Sequence, residues 1–168
     1  MKCIHVISSL CVTAGGPSRS VTSLCDSLAL ISVDIGIISQ INKQDESYGC
    51  LSPHNENVKQ YKCKSYKYYR ATITPHYYDI LNDIVSRESY EIIHSHGLWL
   101  QCNHAAARIA AKRNIPHVVS TRGMLEPWAF KHRYWKKSPF WLLWQRRALQ
   151  SSSILCATSD KEDRKSVV

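Results

Sequence analysis

No stretch of this chain holds the roughly 18 consecutive apolar residues of a membrane-crossing helix, so no segment reads as one. The apolar N-terminus is broken by His5, Ser8 and Ser9. That interruption makes it a poor signal-peptide core and a better first buried strand. The seven cysteines are odd in number and none stands in a C-x-x-C. A disulfide framework and a zinc ribbon are therefore unsupported, and the thiols read as small buried hydrophobes in a reducing compartment. Internal repeats and low-complexity segments are lacking, and so are G-x-G-x-x-G and the P-loop lysine. Acidic residues are few. Thirteen stand against 22 lysines and arginines, a net charge of +9. Such an excess favours an anionic partner, whether phosphate, a membrane face or nucleic acid.

What is present alternates. The 168 residues suit one domain with a genuine core. Expected strands are Lys2–Ser9, Val33–Gln40, Val58–Cys63, Glu91–Ser95, Pro116–Thr121 and Ser153–Thr158. Helices are expected between them. One begins at Pro17 with Val21, Leu24, Cys25 and Leu28 on its apolar face. Another opens at Pro75 with a stripe of Tyr77, Ile80, Leu81 and Ile84; others cover Gln101–Lys112 and Pro139–Gln150. The polar segment Asn42–Asn57 reads as a surface loop. Strands alternating with helices predict an α/β fold with a doubly wound, Rossmann-like parallel sheet.

Two places offer chemistry. Gly15-Gly16-Pro17 follows the first strand and feeds a helix. Glycines let backbone approach a ligand, and a helix N-terminus attracts anions, although a plain tight turn has the same letters. His96 stands where the central strand meets Gly97, at the strand end where open α/β sheets bind ligands. An imidazole there acts near neutral pH or is a structural residue. His94 shares a strand face with it only if His96 is still within the strand. No nearby carboxylate or cysteine pair completes a ligand set, so no metal is expected. Tyr61, Tyr66, Tyr68 and Tyr69 interleave with Lys59, Lys62, Lys64, Lys67 and Arg70. Such a run either stacks on bases or sugars or is a solvated loop. A basic nucleic-acid-binding α/β domain is thus the alternative reading, but no recognisable nucleic-acid motif accompanies it.

Four separated pieces stand together: the Gly15-Gly16 loop, His96-Gly97, Arg122-Gly123-Met124-Leu125-Glu126-Pro127-Trp128, and Ala157-Thr158-Ser159. In combination they resemble the N-terminal half of a family 4 glycosyltransferase of the GT-B fold. The likeness is greatest to the bacterial enzymes that build lipopolysaccharide and exopolysaccharide. It runs from Lys2 to Asp163, and its most specific part is Thr121–Arg147. The resemblance implies a retaining transfer from a nucleotide-sugar donor to a saccharide or lipid-linked saccharide acceptor, with no bound cofactor or metal. It makes residues 1–168 the acceptor-side domain, with the C-terminal donor domain missing and the fragment inactive by itself. It implies a cytoplasmic protein, peripheral on the inner membrane face.

By residue, the resemblance places Gly15 and Gly16 at the donor diphosphate and makes His96 the catalytic residue near the transferred sugar. Departure of a nucleotide diphosphate develops negative charge, so N–H groups and cations should surround it. Arg19 is assigned to the diphosphate. Arg122 supplies charge there or anchors an acceptor anion or a carboxylate. Gly97, Trp99, Gly123 and Glu126 line the acceptor side or cleft, with Glu126 binding acceptor hydroxyls or pairing with an arginine. Cys156 departs from the histidine frequent in relatives. Phe130–Arg147 carries six cations, no acid, and several aromatic and aliphatic residues. That mixture suits contact with an anionic membrane surface.

Overall fold

In the computed structural model of the chain, residues 1–68, 71–126 and 144–157 are described. The strands are β1 (Lys2–Ile7), β2 (Asp34–Ile41), β3 (Lys59–Lys64), β4 (Tyr66–Tyr68), β5 (Ala71–Ile73), β6 (Ile92–His96), β7 (His117–Ser120) and β8 (Ile154–Cys156). The helices are α1 (Gly16–Leu30), α2 (Lys43–Tyr48), α3 (Tyr77–Arg87), α4 (Gln101–Arg113) and α5 (Arg146–Gln150). Six strands pair in parallel in the order β3-β2-β1-β6-β7-β8. The expected doubly wound sheet is present.

Side chains alternate across the sheet, so the central strands feed two cores. Ile4, Val6, Ile38 and Ile93 face one layer, packing with Tyr77, Leu81, Ile84 and Val85 of α3 and with Cys102, Ala106 and Ile109 of α4. Cys3, Ile7, Ile35 and Ile37 face the other, against Val21 and Cys25 of α1. Burial on both faces is why the central strands read as nearly continuous apolar runs. A third, smaller cluster of Leu98, Val119 and Leu149 lies with Met124 and Leu125. All seven cysteines are free thiols, five of them buried.

Several expectations need correction. Asn42–Asn57 contains the short helix α2. Asn42 Oδ1 accepts from the Asp45 N–H at 3.1 Å, and Asp45 Oδ2 accepts from the Asn42 N–H at 3.2 Å. This reciprocal cap satisfies two helix-end donors and lets a polar segment coil. The tyrosine–lysine run is ordered rather than a loop: β3 continues into the antiparallel pair β4–β5. Tyr69 and Arg70 lie outside the described residues. On α3 the buried face is Tyr77, Leu81, Ile84 and Val85, while Ile80 is exposed. The central strand ends at His96 rather than Ser95, which turns out to matter. Of the helix expected over 139–150, residues 139–143 lie outside the described residues, and α5 falls in the described remainder.

Gly36 on β2 is fixed by space. A Cβ there would stand 2.1 Å from Tyr90 Oη and 2.6 Å from its Cζ. Tyr90 is buried, and its hydroxyl lies 3.3 Å from that of Tyr61. Gly36→Ala should therefore cost about 1–3 kcal/mol, the usual penalty of overpacking. Chemical denaturation checks this, and Tyr90→Leu in the Gly36→Ala background should recover part of the loss.

Candidate functional site

The sheet order reverses between β1 and β6: chain order runs outward to β3 on one side and to β8 on the other. A crevice opens at the carboxyl ends of strands where such a reversal occurs. Three segments meet there. The loop after β1 carries Gly15 into α1. The turn after β6 carries Gly97. The turn after β7 carries Arg122 and Gly123.

Each segment bends where its residues allow. Gly15 (φ 88°), Gly97 (φ 84°) and Gly123 (φ 74°) are left-handed, as are Trp99 and Arg122. A Cβ at Gly97 would also press on Met124 Cε at 3.3 Å. Gly15 caps α1 with no side-chain hydrogen bond, and no acid stands in the first turn. A Cβ at Gly15 or Gly16 would meet open space, and among the described residues Gly15, Gly16 and Pro17 leave the start of α1 exposed. The conformational demand falls on Gly15; Gly16 has ordinary helical backbone, not the unfavourable φ that glycine there suggests. Arg19 is exposed on the same first turn.

Below this rim lies a column of imidazoles. β1 and β6 pair with His5 opposite His94, so His5, His94 and His96 share the face under α1. The His94 and His96 ring centroids stand 4.2 Å apart, and those of His5 and His96 5.3 Å. His96 is 3 % exposed and His5 fully buried. His5 Nδ1 is 3.0 Å from His96 Nε2, and His94 Nε2 is 2.8 Å from Ser120 Oγ. Above them Arg122 Nη2 donates to His96 Nδ1 at 3.1 Å, while Nη1 donates to Ser20 Oγ on α1 at 3.0 Å. One cation thus ties β6 to α1 through two neutral partners. Asn103 of α4 donates to the His96 carbonyl at 3.1 Å, fixing the strand end from the opposite layer.

His96 therefore lies in the strand, under the rim rather than on it. Both its ring nitrogens serve protein partners. Sequence reasoning placed it at a loop mouth because its buried position depends on one further residue of strand. His5 was missed: alone in an apolar strand it carries no signal until β6 is known to lie beside β1. Gly15, Gly16, Arg19, Gly97, Arg122 and Gly123 do come together at the carboxyl edge. The Trp99 N–H donates to Gln145 Oε1 at 3.1 Å. Glu126 closes the Arg122 turn, its N–H bonding the Gly123 carbonyl at 3.1 Å. The Arg122 guanidinium bonds Ser20 and His96.

Among the described residues, His5, His94 and His96 form the group whose ligand atoms, within 4.8 Å of one another, could hold a metal ion. The arrangement does not suit a resident divalent cation. Arg122 is a donor only, so the His96 lone pair is on Nδ1, facing away from any shared ion, and the Nε2 that faces His5 carries the proton. The group also contains no carboxylate to offset the neighbouring guanidinium.

Burial sets the charge state. It pulls His5 down to about 3 and His94 and His117 down to about 4, with nearby Arg122 lowering His5 and His94 further. His96 is lowered for the same reason, with His94, His5 and Arg122 adding to the effect. All four are neutral at physiological pH. Above about pH 6.5 folded and unfolded chains hold the same neutral imidazoles. As pH falls from there toward about 4, only the unfolded chain takes up these protons, so stability is lost on acidification. The thermal midpoint should drop steadily through that window; a flat profile there would contradict buried neutral histidines.

The fold recurs in solved structures. Similar structures are a UDP-GlcNAc 2-epimerase from Methanocaldococcus jannaschii (TM-score 0.63, 14% identity) and the MurG of Acinetobacter baumannii (0.60, 6%). A putative UDP-N-acetylglucosamine 2-epimerase from Listeria monocytogenes is similar too (0.62, 10%). They cover 98%, 96% and 98% of this chain, which spans 41%, 42% and 40% of theirs. At such identities the likeness speaks for fold: a Rossmann-like half of the GT-B architecture. No curated protein sequence matches the chain. The description "Glycosyl transferase 4-like domain" matches residues 15–167, from the glycine loop through the Arg122 turn and beyond. On that match, the chain belongs to the glycosyl transferase 4-like domain family.

Proposed function

We propose that this domain is the acceptor-side half of a glycosyltransferase that moves a sugar from a nucleotide-sugar donor to a saccharide or lipid-linked acceptor in cell-surface polysaccharide synthesis. The observation that carries the reading is the guanidinium of Arg122, held by Ser20 and His96 beside the bare N-terminus of α1. A permanent cation beside a helix N-terminus suits a diphosphate.

In the proposed reaction the bond from the anomeric carbon to the diphosphate oxygen breaks, and its electron pair leaves with the diphosphate. The acceptor hydroxyl oxygen forms the new bond and passes its proton to the departing diphosphate oxygen. The α1 N–H groups, Arg122 and Arg19 oppose the charge gathering on the leaving group, the role of preorganised donors in such sites. Gly15 and Gly16 keep the approach open. His96 acts at this site through Arg122. Gly97, Trp99, Gly123 and Glu126 form the neighbouring rim. A groove of ≈ 410 Å³ at the carboxyl ends of β2 and β3, lined by Asn42, Lys43, Glu46, Lys64 and Tyr66, offers hydroxyl-binding groups and an aromatic face for the saccharide.

No helix among the described residues is long and apolar enough to cross a membrane. For a lipid-linked acceptor the reading keeps a peripheral contact through Phe130–Arg147, of which 130–143 lie outside the described residues. Trp144 and Arg147 line a groove with Tyr78, Arg108 and Lys112, which supports a basic, aromatic surface there.

Two measurements test the proposal. Titration with UDP should show salt-sensitive binding that Arg122→Ala weakens about tenfold, the worth of a charge-assisted hydrogen bond. Gly16→Val should weaken it with little change in melting, because the fold leaves room for the side chain. Wild-type affinity in Gly16→Val with a lowered melting point would leave the glycine turn merely structural. Separately, the chain should co-sediment with anionic liposomes at low salt and be released at high salt; no binding at low salt would remove the membrane contact.

A further inference from the structure

The proton positions on His96 and His5 follow from Arg122. A guanidinium has donors and no acceptor, so His96 Nδ1, 3.1 Å from Nη2, presents its lone pair. Neutral His96 then carries its proton on Nε2. Among the described residues that N–H has one hydrogen-bonding neighbour, His5 Nδ1 at 3.0 Å, which must accept. His5 in turn carries its proton on Nε2, and this buried N–H finds no partner among the described residues. A buried polar atom left unpaired costs stability, so a purely structural residue at position 5 would be apolar. β1 is otherwise Lys2-Cys3-Ile4 and Val6-Ile7, with its interior positions in the two cores.

The same chain reads in the other direction. Without an acceptor at His5 Nδ1, the His96 Nε2–H would be buried and unpaired. His96 would then favour its other tautomer, with the proton on Nδ1. That hydrogen would point at Arg122 and expel the guanidinium from the bridge to Ser20. We infer that His5 is a positioning residue: by accepting from His96 Nε2–H it turns the His96 Nδ1 lone pair toward Arg122 and holds that cation at the start of α1 for a phosphate-bearing ligand. The inference rests on the anion site proposed above. It adds that the site's charge is aimed from the middle of β1, two side chains below the surface.

The choice of variants separates this role from packing. Asn keeps an acceptor at the δ position of residue 5; Phe fills the ring space with none. Long-range ¹H–¹⁵N correlation spectra should show protons on Nε2 of both His5 and His96 in the wild-type chain. His5→Asn should keep the His96 Nε2–H pattern, and His5→Phe should move that proton to Nδ1. Titration with inorganic pyrophosphate should show an affinity loss of about tenfold in His5→Phe and near-wild-type affinity in His5→Asn. A proton on Nδ1 of either histidine in the wild-type chain would overturn the inference, even if His5→Phe failed to fold. So would an unchanged His96 tautomer or unchanged pyrophosphate affinity in folded His5→Phe, or Zn²⁺ binding that strips the His96 Nε2 proton. If the wild-type chain bound no pyrophosphate, the anion site itself would fall, while the tautomer pattern would still decide whether His5 positions Arg122.

Discussion

A parallel sheet buried on both faces needs a crossover after every strand, and where those crossovers change sides the strand ends part. Between β1 and β6 that parting leaves α1 on one layer and α4 on the other, with the strand tips beneath. Every polar feature of the site depends on this divergence. It exposes the start of α1, gives the turn after β7 room to reach across, and lays His5 beside His94. The site is a consequence of strand order more than of any single motif.

The charge at this crevice is held in an unusual way. The described hydrogen bonds of Arg122 run to a serine hydroxyl and an imidazole. A carboxylate there would neutralise the guanidinium and compete with an incoming anion. Neutral partners position the cation and leave its charge available. Half-burial lowers the Arg122 pKa without removing the charge, because guanidinium starts far above neutrality. Burial does the complementary work on the histidines, keeping them neutral so that His96 can accept. Depth thus separates the roles: charged groups at the rim, neutral hydrogen-bonding groups below.

Much of this was legible in the sequence, for physical reasons. Fully buried strands announce themselves as apolar runs, and Gly15-Gly16-Pro17 marks a helix start because Gly15 takes a positive φ and Pro17 has no N–H to lose in the first turn. The Arg122-Gly123 turn was recognisable as part of a longer pattern. What could not be read was anything set by strand pairing. His5 becomes a partner of His96 only through the β1–β6 register. The extra residue of β6 that buries His96 is decided by its pairing with Ser120, not by local propensity. Helix α2 could have been found, since Asn42 and Asp45 have capping-box spacing; polar composition hid it. Ile80 fell outside the α3 stripe because the helix presents Tyr77, Leu81 and Ile84 to the core.

The central claim is that the crevice between β1 and β6 receives a nucleotide diphosphate. Hydrogen–deuterium exchange with and without saturating UDP tests it most directly. The account predicts slowed exchange concentrated in Gly15–Thr22 and in the turn around Arg122 and Gly123. Protection confined to another surface, such as the groove between α4 and α5, or no protection at any UDP concentration, would contradict it.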